Sequence, residues 1–222
     1  METGFPQRTL VLARLRDEIR RIERRPDRRT GALACGLTSI DEALPAGGFP
    51  RGALSELRGG PASGKTGAAL ALAAALPGDE LAAFVDGTGE LYPPAAAALG
   101  VDLGRLLLVR PAASSAPGVG AARSGELSAF WAAEALLASG AFAVVIVDVR
   151  LPAGTRGADG LLRRLQTAAE KGGAIGLWLS APGAAARVPA GVRLDLSLRD
   201  GRIVASREGR AALARAGDGH AA

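Results

Sequence analysis

The sequence predicts an α/β protein in which a mostly parallel central sheet is flanked by helices. Short apolar runs alternate with helical patterns from Ala53 onward, as in folds whose parallel strands are joined by right-handed crossover helices. The run from Phe142 to Val147 is apolar and rich in β-branched residues, which is typical of a strand buried on both faces of such a sheet. The chain has 222 residues, of which 48% are hydrophobic, so it can build one well-buried core.

The remaining elements follow from the other apolar runs and from helical periodicity. The other expected strands are Ala53 to Arg58, Leu81 to Val85, Arg105 to Val109, Ile175 to Leu179, Val192 to Leu198 and Ile203 to Ser206. The expected helices are Lys65 to Leu76, Pro93 to Leu99, Glu126 to Ser139 and Leu161 to Glu170. Trp131 and Trp178 fall within these elements and are expected to pack in the core, and Tyr92 is expected to pack at a helix start.

An amphipathic helix is expected near the N-terminus, from Leu10 to Arg25. Its apolar residues recur at three- and four-residue spacing and leave the other faces to arginines and acids; they are Leu12, Leu15, Ile19 and Ile22. This narrow stripe can cover the protein's own core or dock on a neighbouring subunit or partner. We therefore expect a basic helix in residues 1–30, an α/β domain in residues 31–206 and a flexible tail in residues 207–222.

The composition excludes several kinds of site. The chain has one cysteine and one histidine, Cys35 and His220, so neither a zinc site nor a histidine-based catalytic triad is expected. The net charge of +5 fits binding to a negatively charged partner, and weak contact with DNA is one such case. The same charge also serves solubility. The longest apolar stretch, Gly67 to Leu76, has about half of the roughly 20 residues that span a bilayer. A cytoplasmic protein without membrane contact is expected.

A glycine-rich phosphate loop is expected between the first strand and the helix that follows it. The pattern G-x-x-x-x-G-K-[ST] is matched at every fixed position by Gly59, Gly60, Pro61, Ala62, Ser63, Gly64, Lys65 and Thr66. Glycine lets the backbone wrap its N–H groups around phosphates, and the helix N-terminus adds partial positive charge. Lys65 is expected to reach the β- and γ-phosphates of ATP, and the Thr66 hydroxyl to bind Mg²⁺.

Two carboxylates are expected to complete this site. Asp148 ends the buried strand that begins at Phe142, where a carboxylate is needed to bind Mg²⁺ opposite Thr66. Glu90 follows the second strand of the α/β domain and is the candidate for orienting the attacking water. A surface turn explains this acid equally well. The site is thus expected to use ATP and Mg²⁺.

The chain from about Leu10 to Ser206 resembles the RecA-type recombinases. The segments that carry the resemblance are Thr38 to Leu44, Gly47 to Gly52, Ala83 to Asp86, Leu99 to Asp102, Ser139 to Ala141 and Val192 to Asp195. Relative to that family, Thr88 stands where the catalytic glutamate is expected. The segment Ser180 to Gly183 has no amide for the glutamine switch. The counterparts of the DNA-binding loops, Arg150 to Gly160 and Pro182 to Gly191, are short, and the second has one basic residue, Arg187.

A RecA-like core with short loops resembles the ImuA family of translesion-synthesis accessory proteins. The segment Gly89 to Pro93 and the approach Thr38 to Glu42 carry this resemblance. It implies contact with RecA, with an ImuB-type polymerase homologue and, through that homologue, with a DnaE-type error-prone polymerase. Together with the intact phosphate loop and Thr88 at the position of the catalytic glutamate, it predicts an ATP-binding accessory protein of the SOS response and translesion synthesis with weak or no ATPase activity. Two alternatives stay open: a self-assembling DNA-dependent ATPase with recombinase-like activity, and a SulA-like division inhibitor.

Overall fold

A computed structural model describes residues 30–111, 120–150, 157–183 and 190–207. The expected helix from Leu10 to Arg25, Arg187 and residues 208–222 lie outside this part of the chain. So do residues 151–156 and 184–189 of the two short loops. Within the described part, no helix is long and apolar enough to cross a bilayer.

The described residues form a seven-stranded, mostly parallel sheet and a small two-stranded sheet. The strands are β1 (Ala32–Leu33), β2 (Phe49–Pro50), β3 (Ala53–Arg58), β4 (Leu81–Asp86), β5 (Leu106–Val109), β6 (Phe142–Asp148), β7 (Ile175–Ser180), β8 (Val192–Arg199) and β9 (Arg202–Arg207). The large sheet has the order β5-β4-β6-β7-β3-β8-β9, and only the β8–β9 pair is antiparallel. The predicted fold class is confirmed.

The helices cover both faces of the large sheet. They are α1 (Thr38–Asp41), α2 (Lys65–Ala74), α3 (Pro93–Ala98), α4 (Gly120–Ala138) and α5 (Ala158–Gly172), with a short 3₁₀ turn at Leu103–Arg105. One apolar layer packs α2 against side chains such as Phe84 and Ile146, and the other packs α4 and α5 against side chains such as Val145. The buried strands β6 and β7 therefore carry apolar residues on both faces.

The aromatic residues do not all lie where the sequence predicts. Trp178 is buried and stacks on Phe130, with 5.5 Å between the ring centroids. Trp131 is 70% exposed, so the expectation that it packs in the core is wrong. Tyr92 stands at the start of α3 as expected, but it is 67% exposed and packs little there. Consecutive helical residues point about 100° apart, so Trp131 faces away from the layer that buries Phe130.

A buried ion pair joins the two amino-terminal ends of β3 and β4. Arg51 Nη2 donates to Glu80 Oε2 at 2.8 Å, and the two side chains are only 10% and 5% exposed. The backbone beside this pair is also fixed, because Arg51 N donates to Gly31 O and Gly52 N donates to Ala174 O. Each charge therefore depends on its partner, since water can reach neither side chain freely.

We predict that Arg51→Met lowers the free energy of unfolding by about 3 kcal/mol or more, because it leaves the Glu80 carboxylate buried without its arginine. Urea denaturation measures the change. Arg164→Met is the matched control, because it breaks the exposed pair with Glu134 and should cost about 1 kcal/mol or less. An equal cost for the two variants contradicts the prediction. Arg51→Met with Glu80→Leu should recover much of the loss.

Candidate phosphate-binding site

The loop between β3 and α2 turns tightly at the carboxyl edge of the sheet. Gly59 N donates to Ser180 O at 3.1 Å, which ties the start of the loop to the end of the neighbouring strand β7. A Cβ on Gly59 would lie 2.3 Å from Ser63 Oγ and 2.9 Å from Leu196 O, so only glycine fits here. The loop therefore folds back on itself with its backbone, as the sequence motif requires.

The end of the same loop leads directly into α2. Gly64 precedes the helix with a left-handed φ of 87° and gives it no side-chain cap. A Cβ at this position would lie 2.7 Å from Ile203 Cγ1, so β9 packs against the loop. The first N–H groups of a helix lack intrahelical acceptors, and here they face the loop. The α2 N-terminus can thus bind an anion.

Two polar groups of the loop indicate what this cradle can hold. Lys65 Nζ reaches back over the loop and donates to Gly60 O at 3.3 Å. Ser63 Oγ is buried and has no hydrogen-bond partner among the described residues. A buried hydroxyl without a partner is rare unless a ligand or water supplies one. The backbone cradle, the ammonium group and the unsatisfied hydroxyl together fit a bound phosphate chain.

Parallel pairing brings two aspartates together beside the loop. Asp86 and Asp148 are Cα partners at the ends of β4 and β6. Asp86 is fully engaged, because its carboxylate accepts from Thr88 Oγ1, from the backbone N–H groups of Glu90 and Leu91, and from Arg110 Nε at 2.9 Å. It therefore fixes the turn after β4. Asp148 remains the carboxylate that can act with the Thr66 hydroxyl to hold Mg²⁺.

Burial raises the pKa of Asp148 above its ordinary value of 3.8. The positive charge of Lys65 opposes this shift, whereas the negative charges of Asp86 and Glu90 add to it. In the described part of the chain, no group of three or more His, Cys, Asp or Glu side chains could hold a metal. Mg²⁺ commonly uses only one or two carboxylates together with substrate phosphates, so Thr66 and Asp148 fit this ion when a nucleotide is bound.

Glu90 lies at the same edge of the sheet, but it is paired with a residue that the sequence analysis did not select. Arg150 Nη2 donates to Glu90 Oε1 at 2.6 Å. Arg150 lies two residues after Asp148, just beyond the end of the same strand. Its closeness in sequence to a candidate metal ligand is the signal that could have identified it as a residue of this site. Thr88 is bonded to Asp86. Arg110 was also missed, although it bonds both Asp86 and Leu91 O.

The sequence of residues 15–154 matches the family described as the RecA N-terminal domain. This match covers more than half of the chain and includes the phosphate loop, Glu90 and Asp148. The chain belongs to this RecA family. Its family membership agrees with the observed sheet and loop, and it supports the RecA-like part of the earlier resemblance.

Individual relatives agree with the family assignment. The chain is 40% identical over 118 residues to Protein RecA of Corynebacterium aurimucosum, a match that covers 53% of this chain and 28% of that protein. It is 37% identical over 131 residues to Protein RecA of Streptococcus pyogenes serotype M49, covering 59% of this chain and 32% of that protein. The matched region is thus about a third of the length of these RecA proteins.

We predict that Asp148→Asn stabilises the protein at pH 7 in the absence of Mg²⁺ and nucleotide. Because the pKa of Asp148 is raised by folding, its charged form is less favourable in the native state than in the unfolded chain. Removing the charge should raise the urea midpoint at pH 7. The difference from wild type should shrink as the pH falls and the native Asp148 becomes protonated.

Urea denaturation between pH 7 and pH 4, with EDTA present, measures this difference. Asp195→Asn is the control, since it removes another strand carboxylate, one that accepts a 2.7 Å hydrogen bond from Arg58. That variant should destabilise the protein rather than stabilise it. A lower midpoint for Asp148→Asn at pH 7 would contradict the prediction.

Proposed function

We propose that this RecA-family protein is an ATP-binding accessory protein of the SOS response and translesion DNA synthesis. In this role it binds and modulates RecA or the translesion polymerase assembly, with weak or no ATPase activity. The observation that carries the proposal is a complete phosphate loop beside a turn in which Thr88 bonds Asp86. The loop supports ATP binding, and a hydroxyl at the position expected for glutamate supports slow turnover.

The proposed nucleotide site uses residues from two strand ends and one helix. The backbone of residues 59–64 and the Lys65 ammonium would hold the phosphates, and Thr66 and Asp148 would hold Mg²⁺. Magnesium-bound ATP supplies a phosphoryl group whose transfer depends on positioning and charge stabilisation. Glu90 is the proposed group for orienting water, although its carboxylate is bonded to Arg150. This arrangement suits binding better than rapid hydrolysis.

An apolar groove at one edge of the sheet supports a role in binding another protein. It has a volume of about 450 Å³ and lies between the edge strand β5 and α4, lined by Val109, Pro111, Leu127, Ser128, Trp131 and Ala132. Leu127 and Trp131 are both more than half exposed. Exposed apolar patches commonly mark binding sites, and tryptophan is enriched among the residues that dominate protein interfaces.

The proposed occupant of this groove is a subunit of RecA. A protein with a RecA-like core can take the place of a RecA subunit at the end of a filament, and an edge groove suits such a contact. The resemblance to the ImuA family extends the proposal to an ImuB-type polymerase homologue and, through it, to a DnaE-type polymerase. The excess of arginine leaves weak direct contact with DNA as part of the same proposal.

We predict that Mg²⁺-ATP stabilises the protein and that Lys65→Ala abolishes this effect. At 100 times the dissociation constant, binding to the native state should add about 2.7 kcal/mol to the free energy of unfolding. Thermal or urea unfolding with and without Mg²⁺-ATP measures it. Lys171→Ala is the matched control, because it removes the other lysine, which lies in the last turn of α5. Unchanged stabilisation in Lys65→Ala would count against the site.

We predict that Trp131→Asp weakens binding to RecA by about thirtyfold, since loss of a dominant interface residue costs about 2 kcal/mol or more. Surface plasmon resonance on immobilised RecA filaments measures the affinity. Leu198→Asp is the control, because Leu198 is also about half exposed but lies near the opposite edge of the sheet. Equal binding by wild type and Trp131→Asp would exclude the groove as the contact.

The alternative of a DNA-dependent ATPase is tested by the same protein preparations. Phosphate release is measured alone, with single-stranded DNA and with RecA filaments. An accessory role predicts little acceleration by DNA and a change in the RecA rate. A recombinase-like enzyme would be strongly accelerated by DNA, with a steep dependence on salt.

A further inference from the structure

The ion pair between Arg150 and Glu90 connects the ends of two neighbouring strands at the proposed nucleotide site. Glu90 follows β4 in the turn that Asp86 fixes, and Arg150 follows β6 directly after Asp148 and Val149. The two atoms in contact, Arg150 Nη2 and Glu90 Oε1, are 2.6 Å apart. β4 and β6 are paired up to Asp86 and Asp148, so both side chains leave the same edge of the sheet.

This pair is poorly suited to stabilising the fold. The Arg150 side chain is 77% exposed and the Glu90 side chain is 67% exposed. Exposed ion pairs gain little because water screens both charges and the long side chains lose freedom. The buried pair Arg51–Glu80 is the contrasting case in the same molecule. Arg150 can therefore exchange its partner at small cost when a stronger anion is present.

A triphosphate is such an anion. A guanidinium group donates two parallel hydrogen bonds to phosphate oxygens. An ammonium group cannot make this planar, bidentate contact. Lys65 supplies a compact cation from the loop side, and Arg150 supplies a second cation from the β6 side. β7 ends at Ser180, whose hydroxyl donates to Glu56 Oε1, and alanine, proline and glycine follow it. This strand end therefore offers the phosphates neither a charged side chain nor a side-chain amide.

We infer that Arg150 is the group that distinguishes ATP from ADP, by exchanging Glu90 for the γ-phosphate. The inference rests on the proposed function, since it assumes that nucleotide binds at the phosphate loop. In the free protein, Arg150 holds the Glu90 carboxylate. With ATP bound, Arg150 turns to the terminal phosphate and Glu90 is released, whereas ADP leaves the ion pair in place.

The exchange also explains how a slow hydrolysis would begin. The released Glu90 carboxylate can accept a proton from water as the water oxygen bonds to the γ-phosphorus. The bond between that phosphorus and the bridging oxygen of ADP then breaks. Arg150 is thus a binding residue for the γ-phosphate that restrains Glu90 until ATP binds. Because Glu90 and the γ-phosphate compete for Arg150, substitutions of Arg150 and Glu90 should have opposite effects on the preference for ATP.

The test compares the affinities for Mg²⁺-ATP and Mg²⁺-ADP, measured by fluorescence titration with nucleotides that carry a fluorescent label on the ribose. Arg150→Gln should reduce the preference for ATP by about tenfold or more, since a charge-assisted contact is lost. Glu90→Gln should raise that preference up to about fivefold, because nothing then competes for Arg150. The ADP affinity should change little in both variants.

Arg164→Gln and Glu134→Gln are the matched controls. They break another exposed arginine–glutamate pair, one between α4 and α5, and should leave the ATP preference unchanged. A purely structural role for the Arg150–Glu90 pair predicts effects of the same sign in the two test variants, and that result would overturn the inference. So would an ATP preference that neither substitution alters.

The outcomes separate the inference from the proposed function. If wild type binds neither nucleotide, the proposed function fails, and the inference that Arg150 distinguishes ATP from ADP fails with it. If wild type binds both nucleotides and Lys65→Ala binds neither, the nucleotide site stands. The shifts in ATP preference of Arg150→Gln and Glu90→Gln then test only whether Arg150 distinguishes ATP from ADP.

Discussion

Parallel pairing of the central strands is the constraint on which the rest of this molecule depends. Since β3, β4, β6 and β7 run in the same direction, their carboxyl ends meet at one edge. The phosphate loop, Asp86, Asp148 and the turn that contains Glu90 all follow from these ends. The position of the phosphate loop also requires glycine at residue 59. A side chain there would clash with Ser63 and Leu196 and would push the loop away from the edge of the sheet.

Charge at this edge is divided between groups that are already satisfied and groups that can change partners. Asp86 accepts hydrogen bonds from two backbone N–H groups and pairs with Arg110, so it belongs to the architecture. Lys65 Nζ donates to the Gly60 carbonyl of its own loop, and burial raises the pKa of Asp148. These features fit the proposed binding of a negatively charged ligand together with Mg²⁺.

Arg110 connects the proposed nucleotide site with the apolar groove. Arg110 lies in the chain between Val109 and Pro111, which line the groove, and its guanidinium bonds Asp86 and Leu91 O in the turn beside Glu90. The groove therefore borders both chain neighbours of an arginine that fixes the turn after β4. The groove and the turn beside Glu90 are thus joined through the hydrogen bonds of Arg110.

The sequence by itself determined the fold class, the seven strands of the large sheet in their chain order and the phosphate-loop motif, whereas it did not predict the short strands β1 and β2. These features depend on local patterns: apolar runs that suit buried strands, and glycines at fixed positions before a lysine. Only the tertiary structure decided which side chains become partners. The Arg150–Glu90, Arg110–Asp86 and Arg51–Glu80 pairs join residues far apart in sequence, and Trp131 is exposed because α4 lies at an open edge of the sheet. Periodicity shows which residues share a helix face. Whether that face is exposed depends on which strand lies at the edge of the sheet, and the local sequence of the helix does not determine the order of the strands in the sheet.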